Sequence, residues 1–109
     1  MASGKIARTI APCSYGAAQI VCQENYTGRA SYTVTESGYY EITNQVNVAN
    51  SSNHNLTITV NGCGVSTHRT AGIRYERATI FLYISAGDEI AGSYEDTSVQ
   101  CQLQIRKIP

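Results

Sequence analysis

Hydrophobic alternation with a period of two, repeated in short runs between turn residues, constrains this chain more than any other feature of its sequence. Ala30, Tyr32 and Val34 share one side of a run against Ser31, Thr33 and Thr35, and Glu36-Ser37-Gly38 ends it. In the next run, Tyr39 to Val48, residues Tyr40, Ile42, Val46 and Val48 stand opposite Tyr39, Glu41, Thr43, Gln45 and Asn47. Asn44 interrupts the apolar row, which predicts a bulge or a solvent-reaching edge there. Leu56, Ile58 and Val60 alternate with Thr57, Thr59 and Asn61. Asn61-Gly62 then predicts a hairpin, because both residues tolerate positive φ. Side chains at every second position line one face of a strand but scatter around a helix, so these runs are strands.

Two further runs complete the pattern. Ala78, Ile80, Leu82 and Ile84 alternate with Thr79, Phe81, Tyr83 and Ser85, a run apolar on both sides that Ala86-Gly87-Asp88 ends with turn chemistry. Val99, Cys101, Leu103 and Ile105 alternate with Gln100, Gln102, Gln104 and Arg106. Weaker strand signals cover Lys5 to Ala11, Ala17 to Gln23, Val65 to Thr70 and Glu89 to Tyr94. Eight or nine short strands in 109 residues predict an all-β sandwich, jelly roll or barrel, formed as one domain.

Chemistry is sparse. The formal net charge is zero, which argues against a nucleic-acid surface. No apolar stretch nears the roughly 20 residues of a spanning helix, so no membrane insertion is expected. Met1 to Lys5 also lacks the apolar run of a secretory signal, so synthesis and assembly are expected in the cytoplasm. No Gly-x-Ser-x-Gly elbow, Walker loop or His-Glu-x-x-His helix occurs, and His54 and His68 are too few for a cupin-type metal site. The expectation is a protein without catalysis, cofactor or metal. Asp88, Glu89, Glu95 and Asp96 read as solvated turn carboxylates rather than calcium ligands.

Cys13, Cys22, Cys63 and Cys101 form no C-x-x-C pair. Reduced thiols are expected, with Cys101 on the apolar side of its strand; the alternative is a Cys13–Cys22 disulfide. Asn-x-Ser/Thr sequences at Asn25, Asn50 and Asn55 are attributed to the Asn, Ser and Thr richness of a β protein.

The stretches Val34 to Ile42, Leu56 to Gly62 and Leu82 to Ile90, followed by the closing alternating strand, resemble the C1q/TNF-like jelly-roll superfamily. They are nearest in flavour to spore-surface collagen-like glycoprotein domains and phage fibre heads. The resemblance covers about Ala30 to Ile108, leaving residues 1–29 as N-terminal strands or an anchoring segment. It implies an antiparallel sandwich that assembles as a homotrimer. Phe81 and Tyr83 would stand at the subunit boundary, with Gln100, Gln102 and Gln104 of the last strand, taken as the neighbour, beside them. The same place is reached from the residues alone, because a single core buries only one side of a strand that is apolar on both.

Two roles are then expected. The first is structural, a trimeric capsid-decorating or fibre-head block on a phage virion, partnered by itself and by capsid or tail proteins. The alternative is adhesion by a phage tail, spore or bacterial surface. There the loops Ala49 to Asn55 and Ser66 to Arg77 would hold a host glycan or receptor through Arg69, Arg74, Tyr75 and Arg77.

Overall fold

A computed structural model describes residues 19–46, 53–71 and 75–109. Among the described residues eight antiparallel strands run in order: β1 Gln19–Tyr26, β2 Arg29–Thr33, β3 Gly38–Val46, β4 Asn55–Val60, β5 Cys63–Arg69, β6 Glu76–Ile84, β7 Glu89–Tyr94 and β8 Cys101–Lys107. They form two four-stranded sheets, β1-β8-β3-β6 and β2-β7-β4-β5. Successive strands fall in opposite sheets except at the β4–β5 hairpin, which is the strand order of a jelly roll.

The apolar rows face one another across the sandwich. Tyr40, Ile42 and Val46 of β3, Leu103 and Ile105 of β8 and Ile84 of β6 meet Leu56 and Ile58 of β4 and Ile90 of β7, all close to fully buried. The hairpin closes at Asn61 (φ 52°) and Gly62 (φ 82°), the two positive values that a tight two-residue turn requires. Asn61 does more than turn the chain. Its Oδ1 accepts from the Glu89 amide at 2.9 Å and its Nδ2 donates to Asp88 Oδ1 at 3.0 Å, tying the hairpin to the start of β7.

Asn44 corrects the sequence reading. It lies neither at a bulge nor at an edge: β3 is paired on both sides without a register shift, and Asn44 is fully buried. Its Nδ2 donates across the sandwich to the carbonyls of Thr57 (2.9 Å) and Ser93 (3.2 Å), and its Oδ1 accepts from the Tyr26 hydroxyl. Gly92 makes this fit. A Cβ there would come within 2.9–3.0 Å of the Asn44 amide. One polar side chain therefore joins the two sheets, its burial offset by three hydrogen bonds.

Other expectations shift locally. Both ends of Ser66 to Arg77 are strand rather than loop, since β5 runs to Arg69 and β6 begins at Glu76. Their ends are clipped between sheets: Glu76 Oε1 meets His68 Nε2 at 2.5 Å, and Glu76 Oε2 accepts from the Ala71 amide at 2.7 Å. Val99, expected to begin the last strand, is buried in the turn before it. The weak signals at Ala17 to Gln23, Val65 to Thr70 and Glu89 to Tyr94 correspond to β1, β5 and β7. Lys5 to Ala11, Val48 and Ala49 to Ser52 lie outside the described residues.

Candidate functional site

The two outer faces differ in chemistry. On the β2-β7-β4-β5 sheet, register places Ser31, Ala91 and Thr59 in one row and Arg29, Ser93, Thr57 and Thr67 in another. These are short or polar side chains, and the apolar one, Ala91, is buried. The outer face of the β1-β8-β3-β6 sheet instead carries aromatic rings at one end and a polar groove at the other.

The aromatic end is built by register. Tyr39 of β3 lies opposite Tyr83 of β6, and Phe81 is two residues along from Tyr83 on the same face. Tyr39 stacks on Phe81 with ring centroids 5.5 Å apart and planes 9° from parallel, and meets Tyr83 edge-on at 5.4 Å. These geometries suit the quadrupoles of aromatic pairs. Even so packed, the three rings remain 52–56% exposed. Ile20, opposite Arg106 at the sheet's other edge, is 51% exposed.

Towards the other end the same face becomes a groove of about 360 Å³ lined by Glu41, Thr43, Gln45, Arg77, Thr79, Gln102, Gln104 and Arg106. Rows again come from register, with Gln102–Gln45–Arg77 and Gln104–Thr43–Thr79 crossing β8, β3 and β6. Gln102 Nε2 donates to Asn25 Oδ1 at 3.1 Å, and Gln104 Nε2 to Gln23 Oε1 at 3.3 Å. Arg106 Nη1 lies 3.5 Å from Glu41 Oε1, while its Nε is buried without a hydrogen-bond partner among the described residues. The Arg77 side chain makes no hydrogen bond or ion pair among the described residues.

The expected site residues are thus partly gathered and partly dispersed. Phe81 and Tyr83 stand together, joined by Tyr39, whose role was hidden because nothing in one sequence pairs residue 39 with residue 83. Gln102 and Gln104 face the same way but do not adjoin them. The neighbour of β6 is β3, which separates it from β8, and Gln100 precedes β8 as an exposed turn residue. The loop cluster divides as well. Arg69 ends β5 on the opposite sheet, where its Nη1 donates to Asn55 Oδ1 at 3.0 Å. Arg77 points from β6 into the groove, and Tyr75 beside it is 68% exposed. Arg74 lies outside the described residues.

The carboxylates serve turns. Asp88 Oδ2 accepts from the Ser85 amide, Glu95 Oε1 from the Asn55 amide, and Asp96 Oδ1 from the amide and hydroxyl of Ser98, which lowers the Asp96 pKa. Glu89 pairs with Arg29 at 3.0 Å. Among the described residues no three His, Cys, Asp or Glu side chains gather at a metal-binding spacing.

Cys22, Cys63 and Cys101 form no disulfide with one another, and Cys13 lies outside the described residues. Cys101 is fully buried, as its strand position predicts. Burial pushes its thiol up from 9.0 to about 11, and burial likewise raises the nearby Tyr26 phenol. Both acids are harder to ionise in the native state, so their contribution to stability is intact below pH 9 and declines as pH rises through 11. The expected result is a urea midpoint lower at about pH 10.5 than at about pH 8, with a smaller difference in Cys101→Ala; equal midpoints in the wild type would refute it. A maleimide probe is expected to label exposed Cys63 in the native state and Cys101 only after unfolding.

No family's sequence pattern matches this chain, and no curated protein matches it in sequence. Solved structures do resemble it. Rabbit GITRL superimposes with a TM-score of 0.52 at 16% identity, covering 67% of this chain and 68% of that one. A β-glucosidase from Paenibacillus barengoltzii gives 0.50 at 17% identity over 77% of this chain, but that is 10% of the enzyme's chain. A family 35 carbohydrate-binding module from an environmental isolate gives 0.45 at 18% identity, covering 84% and 74% of the two chains. At such identities the likeness is one of fold. The chain has a jelly-roll fold, two antiparallel four-stranded sheets packed face to face.

Proposed function

We propose that this protein is a non-enzymatic module that closes as a homotrimer over Tyr39, Phe81 and Tyr83. We further propose that it serves as a structural piece on a phage virion, decorating a capsid or heading a fibre, after assembly in the cytoplasm. One observation carries the association: three contiguous rings stand half exposed on the outer face of one sheet, whereas the other sheet's outer face carries short or polar side chains. Contiguous apolar surface of this kind marks a contact. The family resemblance supplies the number three and the virion setting.

Magnitudes limit the form of the contact. Completing the burial of a half-exposed ring is worth roughly 1 kcal/mol, repeated for every ring of every subunit. Association costs at least about 4 kcal/mol, and often more, in lost freedom of motion. The rings alone leave little surplus, so the contact extends beyond them, with Ile20 on the same face a candidate. Light scattering or native mass spectrometry is expected to give three times the 11.8 kDa subunit mass at micromolar concentration. A single-subunit mass overturns the trimer, and absence of the protein from purified particles overturns the virion role.

A second reading, adhesion to a host glycan or receptor from a phage tail, spore or bacterial surface, is favoured by a different observation. Tyr75, Arg77, Glu76 and Gln45 line a hollow of about 210 Å³ at the polar end of the face. Among the described residues expected to recognise such a ligand, Tyr75 and Arg77 both line this hollow, which supports the reading.

A further inference from the structure

We propose that the groove between β8, β3 and β6 binds a pyranose sugar bearing a carboxylate, with Arg77 as the carboxylate's partner. The inference rests on reading this chain as a binding module and does not require the trimer. A volume of about 360 Å³ lies within the span of small-ligand sites.

The lining selects the ligand class. Gln102 and Gln104 each commit one amide N–H, to Asn25 and Gln23, which leaves each with its carbonyl oxygen as an acceptor and one further N–H. Carbonyl acceptors are matched by a ligand with several hydroxyl donors, of which sulfate has none and the phosphate dianion HPO4²⁻ one. Thr43, Thr79 and Gln45 both donate and accept, as vicinal sugar hydroxyls do. Arg77 is the cation in the groove free of an ion pair among the described residues, because Arg106 faces Glu41. One free guanidinium suits one carboxylate, and Glu41 repels anions of higher charge. From Tyr39 to Gln45 the strand rises about 20 Å, so a contact closing over the rings leaves the Gln45–Arg77 row open.

The test is an NMR titration of the full chain with methyl β-D-glucuronide and, separately, methyl β-D-glucoside, which differ only in the carboxylate. Saturable shifts confined to the outer faces of β3, β6 and β8 are expected, with the glucuronide about tenfold or more the tighter. Arg77→Gln is expected to abolish that preference with an otherwise unchanged amide spectrum, and Arg69→Gln, on the opposite sheet, to retain it. Equal affinity for the two sugars, no saturable shift, or displacement by equimolar inorganic phosphate would overturn the proposal. Light scattering on the same sample separates the two claims. A monomer that binds the glucuronide ends the trimer alone, and a trimer with a silent groove ends this inference alone.

Discussion

Asn44→Leu is expected to lower unfolding free energy by about 2–4 kcal/mol, read as a drop in urea midpoint at unchanged slope. Leucine matches the site's size but not its bonding. The carbonyls of Thr57 and Ser93 and the hydroxyl of Tyr26 would each lose a partner inside the sandwich, where water does not replace it. Gly92→Ala tests the same clamp from the other sheet. Its new Cβ would fall 2.9–3.0 Å from an amide held by three hydrogen bonds, which resists moving aside, so a loss of about 1–3 kcal/mol is expected. In an Asn44→Ala background the methyl would enter vacated space, and Gly92→Ala should then cost little. Additive losses in the double variant would show that the two residues do not act together.

Phe81→Ser with Tyr83→Ser is expected to convert the proposed trimer to single subunits at micromolar concentration. Removing two half-exposed rings from each of three subunits takes roughly 6 kcal/mol from the assembly, about four orders of magnitude in the association constant. Both side chains point away from the core, so the far-ultraviolet circular dichroism should be unchanged. The thermal midpoint should also lose the dependence on protein concentration that an associating protein shows. Ser31→Ala, on the outer face of the opposite sheet, serves as the control and should leave the mass unaltered. A double variant that retains the wild-type mass would place the contact elsewhere.

Much of the build was legible in the residues because strand alternation and turn chemistry are local. Ile42 and Ile80 inward, Glu41 and Phe81 outward, and the reversal at Asn61-Gly62 all follow from period two and from the backbone freedom of Asn and Gly. Asn44 was misread for the same reason. Along β3 it is a polar residue in an apolar row, and its partners come from β1, β4 and β7. The glutamines of β8 were placed on the correct face but beside the wrong strand, since alternation specifies a side and says nothing of the neighbour.

The sequence by itself determined that this chain is an all-β protein, where most of its strands lie and which of their side chains point inward, because those properties depend on residues one or two positions apart. Tertiary structure decided which strands adjoin. It thereby decided that Tyr39 completes an aromatic cluster, that Arg69 and Arg77 stand on different sheets, and that Gly92 makes room for Asn44. Strand pairing is a choice among distant segments, made by whichever arrangement closes one core around all the apolar rows at once.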